Sequence, residues 1–110
     1  MEIAFVSSNE AKFREIRAIL APQAIRVRWH RRSLPEVQSA HLEEVVRAKL
    51  SACPRSKIPL LVEDSGLFLT ALGGFPGVYS RYALETIGLR GILTLLRGRS
   101  RRAVFRTVAG

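Results

Sequence analysis

A chain of 110 residues, 47% of them hydrophobic, is long enough for one globular domain but too short for two full domains. Its 18 Lys and Arg residues outnumber its 9 Asp and Glu residues, and the resulting net charge of +9 favours phosphate-bearing partners. The single cysteine, Cys53, excludes an internal disulfide, and no apolar run approaches the roughly 20 residues of a membrane span. We therefore expect one cytoplasmic domain at residues 1–110, with no membrane segment.

The first predicted elements are a strand at residues 2–6 and a helix over Glu10–Leu20, where apolar residues recur at helical spacing. Asn9 is placed to cap this helix, which puts Lys12 in its first turn. Backbone N–H groups there already carry partial positive charge, so a lysine is locally unfavourable unless it shares an anion. The segment is therefore a candidate phosphate-binding site, although a solvated lysine is the plainer alternative.

A carboxylate pair follows the next three predicted elements. These are a half-buried strand at residues 25–30, a helix over Leu42–Ala52 and a short apolar strand at residues 58–62 that is covered on both faces. The last of them leads directly into Glu63 and Asp64, which are costly to desolvate without a cation, hydrogen bonds or solvent. A metal site would meet that need, while a cap or turn role for Asp64 is the alternative.

The remaining pattern completes an alternation of strands and helices. Three glycines and a proline in residues 73–79 predict a tight loop, helical spacing resumes at Ile87–Leu96, and a last strand is predicted at residues 103–108. This order predicts an α/β fold, a layered mixed sheet with helices on its faces and partly parallel strands. Ligands gather at the carboxyl ends of such strands, so we expect residues 7–9 and Asp64 to share one cleft.

Four motifs in this order resemble successive motifs of one enzyme family. They are FVSSNEAKFREI, SLPEVQSA, LVEDSGLFLTALGGFPGVYSRY and RRAVFRTVAG. Over essentially its whole length the chain is similar to the inosine triphosphate pyrophosphatases, also called the non-canonical purine nucleoside triphosphate pyrophosphatases. The motif sequences are most similar to those of archaeal members. The resemblance implies an ITPase-like fold and an enzyme that converts ITP, dITP or XTP to the monophosphate and pyrophosphate, which removes non-canonical purines from the nucleotide pool.

The resemblance also implies roles for individual residues. The residues that match substrate-binding positions are Ser7, Ser8, Asn9, Glu10, Ala11, Lys12, Lys49, Ser65 and Arg81. Glu36 and Asp64 match positions that hold Mg²⁺, and Asp64 also matches the general base that activates the attacking water. From the residues alone, Glu36 could be an exposed loop carboxylate, Lys49 a solvated helix residue and Arg81 a locally paired one.

Three further expectations concern partners. Family members are longer and commonly form homodimers, so we expect a homodimer of a domain that is short at its C-terminus relative to the family. As one alternative, such a chain could be a catalytically impaired fragment that binds nucleotide or a partner chain. As another, the arginines at residues 26–32 and 97–102 could mark a basic nucleic-acid-binding module. No helix-turn-helix, zinc-finger or RNA-binding signature accompanies them, so a nucleic-acid partner is not expected.

Overall fold

Six strands form two three-stranded sheets, with α-helices packed on their faces. The structure, a computed structural model, describes residues 1–110. In chain order the elements are β1 (Glu2–Ser7), α1 (Glu10–Leu20), β2 (Arg26–Arg31), α2 (Leu42–Ala52), β3 (Leu60–Leu61), β4 (Glu63–Leu69), β5 (Pro76–Gly77), α3 (Ser80–Thr86), α4 (Gly88–Leu95) and β6 (Ala103–Ala109). None of the helices has the length and apolar character needed to span a bilayer.

The first sheet is parallel and has the order β2-β1-β3. Its central strand, β1, pairs along its whole length with β2 and at two positions with β3. Because β1 has a neighbour on each edge and is covered on both faces, Ala4, Phe5 and Val6 are almost completely buried. The sheet therefore holds the carboxyl end of β1, where Ser7 leads into α1, in a fixed position.

The second sheet is antiparallel, with the order β5-β4-β6, and the chain enters it at Val62. The Val62 N–H donates to the Gly110 carbonyl at 2.9 Å, and the Gly110 N–H donates back at 3.0 Å. The strand predicted at residues 58–62 is therefore wrong in its extent, since only Leu60–Leu61 belongs to the first sheet. Asp64, expected to follow that strand, lies inside β4 because the ladder with β6 holds this polar segment extended.

Two small apolar cores stabilise the two sheets. In the first, Val46 of α2 packs between Val6 of β1 and Val62 at the crossing from one sheet to the other. In the second, Leu69 at the end of β4 packs against Ile92 and Leu96 in and after α4. The first core packs α2 against β1, and the second packs α4 against the end of β4.

We expect Gly66→Ala to lower the free energy of unfolding by roughly 1–3 kcal/mol, because β4 has no room for a side chain at this position. An added Cβ would clash with the carbonyl oxygen of Gly77 and lie 2.8 Å from its carbonyl carbon. These are backbone atoms of β5, which cannot move aside as a flexible side chain could. Urea denaturation of the two proteins measures the difference, and an alanine variant of unchanged stability would contradict this close approach.

Candidate functional site

A cleft of about 870 Å³ lies where β1 ends and β4 begins, with α3 and α4 along one side. The predicted site residues that line it are Ser7, Ser8, Asn9, Lys12, Glu36, Lys49, Asp64, Ser65 and Arg81. The two segments expected in one cleft, residues 7–9 and Asp64, therefore do meet. Glu10 and Ala11 do not line the cleft, and the Glu10 carboxylate instead pairs with Arg14 on the surface of α1 at 2.7 Å.

The turn between β1 and α1 is shaped by its own side chains. The Asn9 side chain accepts a hydrogen bond from the Lys12 N–H at 3.2 Å, which confirms the predicted N-cap. The Ser7 hydroxyl accepts from the Asn9 N–H at 3.0 Å, and the Trp29 indole donates to the Ser7 carbonyl at 2.9 Å. These bonds direct the positive end of α1, with Lys12 in its first turn, toward the cleft.

Lys12 shares its charge with Glu63 in this structure. The Lys12 Nζ lies 2.5 Å from Glu63 Oε1, and the residue Glu63 is only 8% exposed. The Ser65 hydroxyl donates to the other oxygen of Glu63 at 3.0 Å and also bonds Thr107 of β6 at 2.9 Å. The sequence pattern identifies Glu63 and Asp64 as a carboxylate pair that needs a cation, but the family resemblance gave Glu63 no role and its pairing with Lys12 was not predicted.

Lys49 is the second cation of the cleft and is nearly buried at 9% exposure, so it is not a solvated helix residue. It lies in the last turn of α2, and its Nζ is 3.3 Å from Glu36 Oε1 and 3.5 Å from Asp64 Oδ1. It also donates to the Glu63 carbonyl at 3.4 Å. The two predicted metal ligands, Glu36 and Asp64, thus both contact the same group, which in this structure is the Lys49 ammonium.

The carboxylate oxygens around Lys49 are of the chemical type that hard divalent cations prefer. No group of three or more His, Cys, Asp or Glu side chains is arranged to hold a metal. Mg²⁺, however, commonly takes only one or two protein carboxylates, with waters and substrate phosphates completing its octahedral coordination. Glu36 and Asp64 offer such a pair in the cleft, on either side of a positive charge.

Burial raises the pKa of Asp64 above its ordinary value of 3.8. The Lys49 ammonium offsets part of this rise in pKa, Glu36 adds to it, and Lys12 and a backbone hydrogen bond from Ser65 lower it. Desolvation is the largest of these effects, so the protonated carboxyl is favoured in the folded chain relative to the unfolded chain.

We expect Asp64→Asn to make the metal-free chain more stable near neutral pH. Because the pKa of Asp64 is raised on folding, its contribution to stability is present below pH 3.8 and is lost as the pH rises through the folded-state pKa. Asparagine cannot ionise and so avoids this loss. Denaturant unfolding in EDTA, from about pH 7 down to about pH 4, should show the advantage shrinking on acidification. A difference that does not change with pH would contradict the assignment.

One wall of the cleft is formed by α3, α4 and β6. The Ser80 hydroxyl accepts from the Leu67 N–H at 2.8 Å and donates to the Gly77 carbonyl at 2.6 Å, which ties the start of α3 to β4 and β5. Arg81 lies at the rim and pairs with Glu85 at 3.1 Å, with 73% of its side chain exposed. Large exposed apolar side chains complete the wall: Tyr82, Leu84, Leu89 and Phe105.

The α3 helix and this wall were not predicted from the sequence. Only Ala83 of α3 is buried, and a helix of seven residues is too short for its apolar spacing to be distinguished from that of a loop. The helix predicted at Ile87–Leu96 is present as α4, which begins at Gly88 and ends at Leu95.

Comparison with known proteins gives consistent similarities over the whole chain. A family model described as the Ham1 family matches residues 3–110. The dITP/XTP pyrophosphatase of Pyrococcus horikoshii is 44% identical over 113 residues, which cover 100% of this chain and 60% of that protein. The dITP/XTP pyrophosphatase of Thermococcus kodakarensis is 47% identical over 111 residues, which cover 98% of this chain and 60% of that protein.

Solved structures agree with this similarity. The structure of a HAM1 protein from Coxiella burnetii matches with a TM-score of 0.75 and 28% identity, over 99% of this chain and 61% of that one. The Staphylococcus aureus Ham1 protein matches with a TM-score of 0.75 and 27% identity, over 99% of this chain and 62% of that one. The predicted α/β fold is thereby confirmed, and the chain spans 60% of the length of the two curated relatives above.

Proposed function

Because the chain belongs to the Ham1 family, we propose that it hydrolyses non-canonical purine nucleoside triphosphates, namely ITP, dITP and XTP, to the monophosphate and pyrophosphate. The observation that carries the proposal is that two lysines and three carboxylates line one cleft beside the N-terminus of α1. They are Lys12, Lys49, Glu36, Glu63 and Asp64. The names of the relatives, dITP/XTP pyrophosphatases, support the substrate class. The proposed role is sanitation of the nucleotide pool, in the cytoplasm.

The triphosphate would bind where α1 begins. The free N–H groups of the first helical turn and the Lys12 ammonium present positive charge to phosphate oxygens, and Ser7, Ser8 and Asn9 add short polar side chains. In this role Lys12 would turn from Glu63 to a phosphate. Lys49 and Ser65 would bind the substrate on the opposite side of the cleft, beside Asp64, and Arg81 would reach it from the rim.

Asp64 is proposed as the general base. It would take a proton from the water that attacks the α-phosphorus, while the bond from that phosphorus to the bridging oxygen breaks and pyrophosphate leaves. A carboxylate whose pKa is raised by burial is a better proton acceptor than an exposed one, which supports this role for Asp64. Lys49, 3.5 Å away, keeps the carboxylate oriented toward the cleft.

Glu36 and Asp64 are the residues that would hold Mg²⁺. When bound, the ion would neutralise charge on the triphosphate and on the departing pyrophosphate. The Lys49 ammonium lies 3.3 Å from Glu36 and 3.5 Å from Asp64, so an ion held by these two carboxylates would share their oxygens with Lys49. Glu36 lies in the loop before α2 and is the more exposed of the two carboxylates, with 55% of its side chain accessible.

Pyrophosphate release by the purified chain tests this proposal. ITP, XTP, GTP and ATP are each offered with Mg²⁺ and with EDTA, and the nucleotide product is identified. We expect Mg²⁺-dependent release of pyrophosphate together with the monophosphate, faster for ITP and XTP than for GTP and ATP. Release of single phosphate with a diphosphate product, or equal rates for all four nucleotides, would contradict the proposal. Nucleotide binding without turnover would favour the impaired-fragment alternative.

A homodimer is proposed on the basis of exposed apolar surface. β6 is an edge strand of the second sheet, and Val104 and Phe105 on it are 50% and 69% exposed. Exposed apolar edge strands favour pairing with another chain, and a second copy would cover this one. Light scattering over a dilution series measures the mass, and a monomer at every concentration would contradict the dimer.

A further inference from the structure

A second concave surface lies on a different face of α4 from the cleft. Leu89 and Ile92 of this helix line the cleft, whereas Arg90, Leu93 and Thr94 face the second surface. This arginine groove, of about 470 Å³, is lined by Arg90, Leu93, Thr94, Leu96, Arg97, Gly98, Arg99 and Arg101. None of these residues has a part in the function proposed above.

The turn after α4 displays the arginines in a defined arrangement. The Arg97 N–H donates to the Thr94 carbonyl at 3.2 Å, and the Arg99 N–H donates to the Leu96 carbonyl at 2.9 Å. Gly98 between them has a φ of +70°, which a residue with a side chain rarely adopts. The hydrogen-bonded turn thus holds Arg97 and Arg99, and Arg101 follows at the next alternate position of the chain.

The positive charge of the groove is not neutralised by the protein. None of the ion pairs in the structure involves Arg90, Arg97, Arg99 or Arg101, and no Asp or Glu occurs after Glu85. The C-terminal end of α4 supplies only about half a negative charge, which a single arginine would balance. Four exposed arginines around one concavity repel one another, and a bound polyanion would remove that repulsion.

We propose that the arginine groove binds single-stranded nucleic acid through its phosphates. The planar guanidinium matches the geometry of phosphate oxygens, and the groove has no aromatic side chain that would stack on bases, so binding is independent of sequence. A flexible strand can bend into a concave surface of this size, whereas a duplex is stiff over such lengths. The carboxylates of the cleft repel nucleic acid, but they lie beyond the other face of α4.

The test measures binding to a fluorescent oligothymidylate of about 20 nucleotides at a series of salt concentrations. Fluorescence anisotropy of the oligonucleotide reports the fraction bound. The groove variant combines Arg97→Ser, Arg99→Ser and Arg101→Ser. The control variant combines Arg26→Ser, Arg47→Ser and Arg55→Ser, which removes the same charge from exposed, unpaired arginines elsewhere. Both variants are first shown to unfold cooperatively, like the parent chain.

Four phosphate contacts predict a slope of about −3 for log K against log salt, since each contact contributes about −0.7 on a single strand. The groove variant should lose about 2 units of this slope and bind more weakly at low salt, while the control variant should keep the parent slope. Equal slopes for the two variants would overturn the proposal. The proposal of a single strand would be overturned if the parent chain bound a duplex of the same length more tightly and the groove variant lost that affinity.

Discussion

Asp64→Asn is expected to lower kcat by roughly 100- to 10,000-fold, the range in which a positioned general base contributes to a rate. The asparagine amide keeps the shape of the side chain near Lys49 but cannot accept the proton of the attacking water. The nucleotide should still bind, because the phosphate contacts proposed for Lys12 and the start of α1 are unchanged. Pyrophosphate release from ITP at saturating substrate measures the effect, with folding verified by denaturant unfolding.

Glu36→Gln is the matched control for Asp64→Asn, because both residues are proposed metal ligands and only Asp64 is the proposed base. The glutamine variant should need a higher Mg²⁺ concentration for half-maximal activity but recover most of its kcat at saturation. The Asp64 variant should stay inactive at every Mg²⁺ concentration. Recovery of the Asp64→Asn protein at high Mg²⁺ would show that Asp64 acts as a ligand alone.

Lys12→Met is expected to raise the KM for ITP roughly 10- to 100-fold, since a charged hydrogen bond contributes about 1.5–3 kcal/mol. The same change leaves the Glu63 carboxylate, which is 8% exposed, without its cation. It should therefore also lower the free energy of unfolding by about 1–3 kcal/mol. Steady-state kinetics and urea denaturation measure the two effects separately.

The double variant Lys12→Met with Glu63→Gln distinguishes binding from folding. Removing both partners of the ion pair takes away the unpaired buried charge, so the double variant should regain most of the lost stability. The phosphate contact is still missing, so the raised KM should persist. If the double variant regained a normal KM together with its stability, Lys12 would have a structural role only.

Local patterns of apolar and polar residues predicted most of the helices and strands. The helices α1 and α2 begin and end as predicted, β1 and β6 each extend one residue beyond the predicted end, and β2 is displaced by one residue at both ends. The segment at residues 58–69 was misread because its conformation depends on distant pairing. The polar EDSG stretch looks like a turn, yet its ladder with β6 makes it a strand, and no local signal specifies a partner so far along the chain.

The sequence predicted most of the side chains that line the cleft but not their pairings. The strand ends predicted that residues 7–9 and Asp64 share one cleft, and the family resemblance alone added Glu36 and Lys49. It did not indicate that Glu63 neutralises Lys12 or that Lys49 lies between two carboxylates. Such pairings depend on the faces that β4 and α2 present, which become fixed only when the two elements pack.

The chain passes from one sheet into the other at Val62. The cleft therefore keeps its shape only while both sheets are formed. Glu63 and Asp64 follow immediately after this crossing, so local opening of either sheet would displace the carboxylates from their lysines. The amide hydrogens of Ala4, which donates to the Pro59 carbonyl in the first sheet, and of Val62, which donates to the Gly110 carbonyl in the second, should therefore exchange with solvent at similar free energies of opening. Nucleotide binding would then slow exchange in the two sheets together.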